Sequence, residues 1–341
     1  MRVSIAQILK RSTGRGNNFN YLRAANHCII MQTAIALEKI GFFRELERSP
    51  GSIQELARIL NADEYLLDAA VEFLLNTTDL FEKKAGIILL KEKQQRAVYH
   101  WPIWRLLIYK PMLDRMAELL RGAATFGKDI TRDSSYYARY SEVIAGGAIE
   151  HALRNMPPDV DTLVDLGCGS ARSLVTFCGS DGKRRGVGID RDRDVANYAR
   201  QRVKEANLND QIRIIEDDIA KLERWRGHVT GNRLMFLSCG VIHEFLRDGE
   251  GAAMRFLENL RRAFPGSRLI LIEAGAAALN KTVNDDILCA TLVTTLIHRF
   301  SGQGLPQPPE RWKQILHSAG WNIETIEPFN YTLAIYRCSS A

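Results

Sequence analysis

Apolar residues recur at helical intervals along the first part of the chain, and gather into short solid runs along the second. From Asn26 to Leu46, "NHCIIMQTAIALEKIGFFREL" has apolar positions three and four apart, and Gly41 marks a helix end. "GSIQELARIL" opens with Ser52 three residues ahead of Glu55, the spacing of a capping box. "NADEYLLDAAVEFLLNTTDLFEKKAGIILLKEK" predicts another helix, from Asp63, and a hairpin that turns near Lys84–Gly86. Helix, short helix, longer helix, hairpin is the order of a winged helix. From Trp101 to Gly147 the pattern is helical and amphipathic again, with the tyrosine-rich piece "SSYYARYSEVIAGG".

From Asp161 the period changes. "TLVDLG", "RGVGID", "IRIIEDD", "RLMFLSCG" and "SRLILIEAG" are short, apolar and β-rich, and amphipathic stretches such as Arg193–Asn207 and Gly251–Phe264 separate them. This alternation predicts a parallel sheet covered by helices on both faces. "WNIETIEPF" and "YTLAIYR" meet at Asn330 with no room for a crossover helix, so they predict an antiparallel edge pair. The expected division is a winged-helix domain over 1–108 and an α/β domain over 109–341, entered through a helical linker.

Composition narrows the class. The 341 residues are 46% hydrophobic and 25% charged, ordinary values for a globular chain long enough for two domains. No apolar run approaches the roughly 18 residues that a membrane helix needs. The basic N-terminal stretch has no cleavage site, so a cytoplasmic location is expected. The six cysteines are scattered without a CxxC pair, which argues against a zinc cluster or a disulfide framework.

The net charge is +6, and residues 1–50 carry eight Lys or Arg against three Asp or Glu. A basic segment can mark nucleic-acid binding. However, the helix that would enter a DNA groove carries Asp63, Glu64, Asp68 and Glu72 and no basic residue, so phosphates would repel it. The winged helix is therefore expected to join two copies of the chain. A regulatory or nucleic-acid-binding protein without chemistry is the competing class.

The first β-run ends in "LVDLGCGSAR". Asp165 and Gly167 stand where a parallel sheet presents ligands, and Gly167 and Gly169 let backbone amides come close to one. Arg172 occupies the place of the third glycine of a dinucleotide fingerprint. Asp190 ends the second run, where a carboxylate can accept both hydroxyls of a ribose. Asp217 and Asp218 end the third, where an adenine edge would lie.

Taken in order, "VDLGCGSAR", "GIDRD", "EDDIAKL" and "IHEFLRD" resemble a class I S-adenosylmethionine-dependent methyltransferase. With the N-terminal winged helix, the chain resembles the O-methyltransferase family of caffeate- and hydroxyindole-type enzymes. The resemblance implies a Rossmann-like sheet of seven strands, the last antiparallel, and a homodimer formed through the N-terminal domain. It places Gly167 and Gly169 at the methionine part of S-adenosyl-L-methionine, and Asp190, followed by Arg191, at the ribose. Asp218 and Ile219 fall at the adenine, with Asp217 as the one-residue alternative.

The family carries a His-Asp-Trp-type stretch after the fourth strand, and its histidine acts as general base. Here His243 fills that place, Glu244 stands for the aspartate and Phe245 for the tryptophan, while Glu273 resembles the acidic residue that orients the histidine. The acceptor must lose a proton as it is methylated, and histidine titrates near neutrality. Tyr136, Tyr137, Tyr140, Trp101 and Trp104 are candidate walls for a small-molecule acceptor, with Arg139 as the partner of an acceptor carboxylate. A second resemblance, to metal-dependent C-methyltransferases of α-keto acids, rests on "HEF" and on "GQGLPQPPERW" after His298. It implies His243 and His298 as ligands of Fe(II) or zinc. The first resemblance implies no metal.

Overall fold

A computed structural model describes residues 21–91, 93–274, 285–329 and 333–340. The chain divides into two compact units, residues 1–107 and 108–341.

In the first unit, α1 (Tyr21–Lys39) stops at Gly41, whose φ of 84° no side chain favours, and α2 (Phe42–Arg48) follows. Next come β1 (Gly51–Ser52), α3 (Ile53–Leu60), α4 (Glu64–Thr77) and the hairpin β2 (Phe81–Lys84) and β3 (Ile87–Leu90). The capping box on α3 is complete: Ser52 Oγ accepts from the Glu55 N–H, and Glu55 accepts from the Ser52 N–H. Ala85 and Gly86, at φ 50° and 82°, make the tight hairpin turn that matches strand twist. The strands order β1-β3-β2, all antiparallel. Phe42 holds its core together, with ring centroids 5.7 Å from Phe43 and 5.8 Å from Phe81. α5 (Lys93–Asp114) carries the chain into the second unit.

There, α6 (Ser134–Arg154) precedes β4 (Thr162–Leu166), α7 (Arg172–Cys178), β5 (Arg185–Asp190), α8 (Arg193–Glu205), β6 (Ile212–Glu216) and β7 (Leu234–Cys239). A 3₁₀ segment, Ile242–Asp248, then leads into α9 (Glu250–Ala263) and β8 (Arg268–Ala274). The chain closes with α10 (Asp285–Phe300), α11 (Pro309–Ser318), β9 (Trp321–Pro328) and β10 (Leu333–Ser340). The seven strands order β6-β5-β4-β7-β8-β10-β9, with β4 to β8 mutually parallel and β10 antiparallel to both its neighbours.

Side chains alternate across this sheet, as the strand period of two requires. Leu163, Leu237 and Ile270 pack with α6, α7 and α8 on one face, and Val164, Phe236 and Leu271 pack with α9 and α11 on the other. Both faces are covered, so the strands read as solid apolar runs rather than as alternating ones. Neither α10 nor α11 stood out in the apolar pattern. α11 begins at Pro309, capped by Pro308, where proline both starts a helix and masks it as a loop signal. Chain order reverses direction across the sheet beside β4, between β5 and β7. A parallel sheet opens its ligand crevice at such a switch point.

Candidate active site

The loop after β4 turns on Gly167 and Gly169, at φ 77° and 53°. A Cβ on Gly167 would lie 2.6 Å from Val241 Cγ2, so the position admits no side chain on conformational or steric grounds. The N–H groups of Gly167 and Cys168 both donate to the Ile189 carbonyl, at 2.8 and 3.0 Å, binding the loop to β5. Asp190, at the tip of β5, accepts from the Gly169 N–H at 3.1 Å and from the Asp192 N–H at 3.0 Å. Each carboxylate oxygen keeps a lone pair for a ligand. Burial pushes the pKa of Asp190 up, against the two backbone hydrogen bonds and the Arg132 charge that favour its ionised form.

These residues border a cleft of about 940 Å³, mouth included. Gly167, Gly169, Asp190 and Arg191 form its floor, and Asp218, Ile219 and Ala220 follow from the end of β6. Cys239, Val241, Glu244 and Phe245 supply the wall beyond β7, and Arg132 and Tyr137 close it from the segment around the start of α6. Of the two adjacent aspartates, Asp218 faces the cleft. Asp217 turns away, its Oδ1 taking the Asp218 N–H at 2.8 Å and lying 3.6 Å from Arg224. Asp165 also stands behind the cleft, buried and hydrogen-bonded by the Ser173 hydroxyl. Burial pushes its pKa up to about 7, against the Ser173 hydrogen bond and helped by the Asp190 charge.

His243 sits in the 3₁₀ segment, buried, beside Glu244 but outside the cleft lining. Its Nδ1 is 2.9 Å from Glu273 Oε2, and its backbone N–H donates to Glu273 Oε1 at 3.2 Å. Glu273, fully buried on β8, thereby assigns the Nδ1–H tautomer and leaves Nε2 as the accepting nitrogen. Burial alone would lower the pKa of His243, but the charge and hydrogen bond of Glu273 outweigh it and raise the pKa. The His298 ring lies beside that of His243, with centroids 5.1 Å apart and planes 14° from parallel. His298 Nδ1 is 2.9 Å from the Gly304 carbonyl, and burial with the neighbouring His243 charge pushes its pKa down to about 4.

Glu244 is not a partner of the His243 ring. Its Oε2 takes Arg191 at 2.8 Å and its Oε1 takes Gln303 Nε2 at 3.1 Å. The cleft therefore unites residues from five strand or helix ends, and the buried His243 and Glu273 form, with the half-buried His298, a separate cluster adjoining it. Of the candidate acceptor walls, Tyr136, Tyr137 and Tyr140 all pack against the cluster of Ile108, Met112 and Ile297, and Tyr137 alone of the three also lines the cleft. Trp104 Nε1 donates to Glu38 at 3.0 Å within the first unit. The side chains of Trp101 and Arg139 lie outside the described residues.

One residue here carried no local sequence signal, and two more belong to the "GQGLPQPPERW" stretch, which did not foretell their contacts. Arg132 places its guanidinium 3.7 Å over the Tyr137 ring and lines the cleft. Burial opposes its charge, but Tyr137, Tyr109, Glu244 and Asp190 hold it ionised. Gln303 and Gly304, in the stretch after His298, reach Glu244 and His243.

Among the described residues, no three His, Cys, Asp or Glu gather as a metal-binding group, and no helix is long and apolar enough to cross a membrane.

Neither a family model nor a curated protein matches the chain. Solved structures do. The mitomycin 7-O-methyltransferase MmcR superposes with TM-score 0.66 at 15% identity, covering 94% of this chain and 96% of that one. A structure of PigF with SAH gives 0.68 at 14%, covering 94% and 100%. The N,N-8-amino-8-demethyl-D-riboflavin dimethyltransferase RosA of Streptomyces davawensis gives 0.62 at 15%, covering 95% and 100%. At these identities the likeness establishes the fold: both units of this chain have the architecture of those methyltransferases.

Proposed function

We propose that the protein is an S-adenosylmethionine-dependent methyltransferase that acts on a small-molecule acceptor, with His243 as general base. The observation that carries this reading is the buried His243–Glu273 pair, joined at 2.9 Å, beside a cleft floored by Gly167, Gly169 and Asp190. The residues fit the cofactor. The glycine loop leaves no Cβ between it and a ligand, Asp190 keeps free lone pairs at the tip of β5, and Asp218 and Ile219 border the adjoining end. The lining carboxylates Asp190, Asp218, Glu244 and Asp248 outnumber the arginines Arg132, Arg191 and Arg247, which suits a ligand carrying net positive charge.

The cofactor supplies an electrophilic methyl group on a sulfonium. This chain supplies the base: the free Nε2 of His243 takes the acceptor's proton, and the Glu273 carboxylate at Nδ1 stabilises the imidazolium that results. In this reading Glu273 orients and Glu244 fixes the position of the segment. O-methylation needs nothing further, and the solved structures named above include an O-methyltransferase.

A second reading rests on a separate observation. Both His243 and His298 commit Nδ1 to an acceptor, Glu273 and the Gly304 carbonyl, and leave Nε2 free. That is the outer-sphere pattern of metal-ligating histidines. His243 and His298 would then hold Fe(II) or zinc, which would acidify the carbon beside the keto group of a bound α-keto acid.

We further propose that the first unit joins two copies of the chain, because α1 leaves Leu22 and Ile29 exposed at 59% and 58%. Light scattering at micromolar concentration should then report about twice the 38.5 kDa chain mass, and the monomer mass would refute the dimer. For the main reading the decisive measurement is calorimetry with S-adenosylmethionine and S-adenosylhomocysteine. Micromolar or tighter binding is expected, weakened roughly 5- to 100-fold in Asp190→Ala. No binding of either compound would defeat the reading.

A further inference from the structure

Residues 301–304, the turn that follows α10, form a strap against the 3₁₀ segment. Its backbone is pinned at both ends. The Gln303 N–H donates to the His298 carbonyl at 3.0 Å, and the Gly304 carbonyl lies 2.9 Å from His298 Nδ1. Gly304 rests directly on the His243 peptide, where a Cβ would fall 1.7 Å from the His243 carbonyl oxygen. So held, the strap presents one polar side chain. Gln303 Nε2 donates to Glu244 Oε1 at 3.1 Å, and its own Oε1 lies 3.1 Å from the Ser301 hydroxyl.

Glu244 lines the cofactor cleft, and its other oxygen receives Arg191, the residue after Asp190. The carboxylate is therefore gripped from two sides: from the floor of the cleft by Arg191, and from outside it by Gln303, which does not itself line the cleft. Burial disfavours the charge on Glu244, but Arg191, Arg132, His243 and the Gln303 hydrogen bond keep its pKa below the usual carboxylate value. An ionised side chain with two fixed donors has a fixed direction. With one donor removed it follows the exposed Arg191.

We propose that Gln303 is a positioning residue for cofactor binding, holding the Glu244 carboxylate in the wall of the cleft through the Gln303–Glu244–Arg191 chain. This rests on the reading of the cleft as an S-adenosylmethionine site. Its effect must pass through Glu244, which a double-mutant cycle can isolate.

The test is calorimetry of S-adenosylmethionine with the full chain and with Gln303→Met, Glu244→Gln and the double variant, each checked for folding by its thermal midpoint. Gln303→Met keeps length and loses the donor. It should weaken binding about five- to twentyfold in the wild-type background and less than about twofold in the Glu244→Gln background. Gln303→Glu, which sets a second negative charge against Glu244, should weaken binding at least as much and covers the case in which Gln303→Met does not fold. Unchanged affinity in folded Gln303 variants, or an equal loss in both backgrounds, would overturn the inference while leaving the function intact. No binding by the wild-type chain would overturn both.

Discussion

Glu273 holds His243 twice, taking the ring Nδ1–H at 2.9 Å and the backbone N–H of the same residue at 3.2 Å. One carboxylate thus fixes both where the imidazole stands and which nitrogen carries its proton.

His243 works as a base only when neutral, and its pKa is raised, so the rate should climb with pH through a midpoint above the ordinary histidine value. Glu273→Gln removes the charge that raises the pKa. The midpoint should fall, and the rate on any acceptor that the wild type methylates should drop by about 10²–10⁴. Binding of S-adenosylhomocysteine should change less than about threefold, since Glu273 does not line the cleft. A pH–rate profile unchanged in Glu273→Gln would remove the pair from the chemistry.

His298 separates the two readings of the site. With a metal-free base, His298→Ala should cost less than about tenfold in rate and EDTA should have no effect. With a metal held by both histidines, either substitution should abolish turnover, and Fe(II) or zinc should restore the chelated wild type. Metal content of the purified protein, measured by mass spectrometry, reports the same distinction without an acceptor.

Gly167→Ala should be among the most damaging small substitutions. The new methyl meets Val241 Cγ2 at 2.6 Å, and the backbone φ of 77° strains any side chain. A loss of about 1–3 kcal/mol is expected, together with weaker S-adenosylhomocysteine binding. An unchanged denaturation midpoint would show that the loop is less tightly held than this geometry implies.

Asp165 predicts a pH dependence of stability. Folded, its pKa is about 7 because of burial; unfolded, it titrates near 4. Between those values the folded state binds the extra proton, so the stabilisation present below about pH 4 is lost as pH rises to about 7. Asp165→Asn, which stays neutral, should flatten that slope by roughly 2–4 kcal/mol in urea unfolding across the window. An identical slope in the variant would show that Asp165 is ionised in the folded state.

The periodicity of two and of 3.6 sufficed for the architecture. Solid β-runs such as "TLVDLG", alternating with amphipathic helices, fit a parallel sheet buried on both faces, and the Ser52–Glu55 spacing announced α3 because a cap is made within four residues. The positions of Gly167, Asp190 and Asp218 were legible for the same local reason: each stands at the end of a strand, and strand ends line the crevice of such a sheet. Asp217 and Asp218 could not be told apart by sequence. Only the turn after β6, with Arg224 beside it, sends one carboxylate out and the other into the cleft. Tyr137 and Tyr140 likewise share one helix and both pack against the cluster around Ile297, and only the tertiary packing brings Tyr137 to the cleft as well. Arg132 carried no sequence signal, and Gln303 and Gly304 stood in a stretch singled out for its resemblance to metal-dependent enzymes, not for the contacts they make. The partners of Gln303 and Gly304 lie 59 and 61 residues away, at Glu244 and His243, and Arg132 stacks on Tyr137 under the charges of the distant Glu244 and Asp190. Periodicity records which side of an element faces inward. It holds no record of which element stands opposite, and that pairing exists only once the chain has closed on itself.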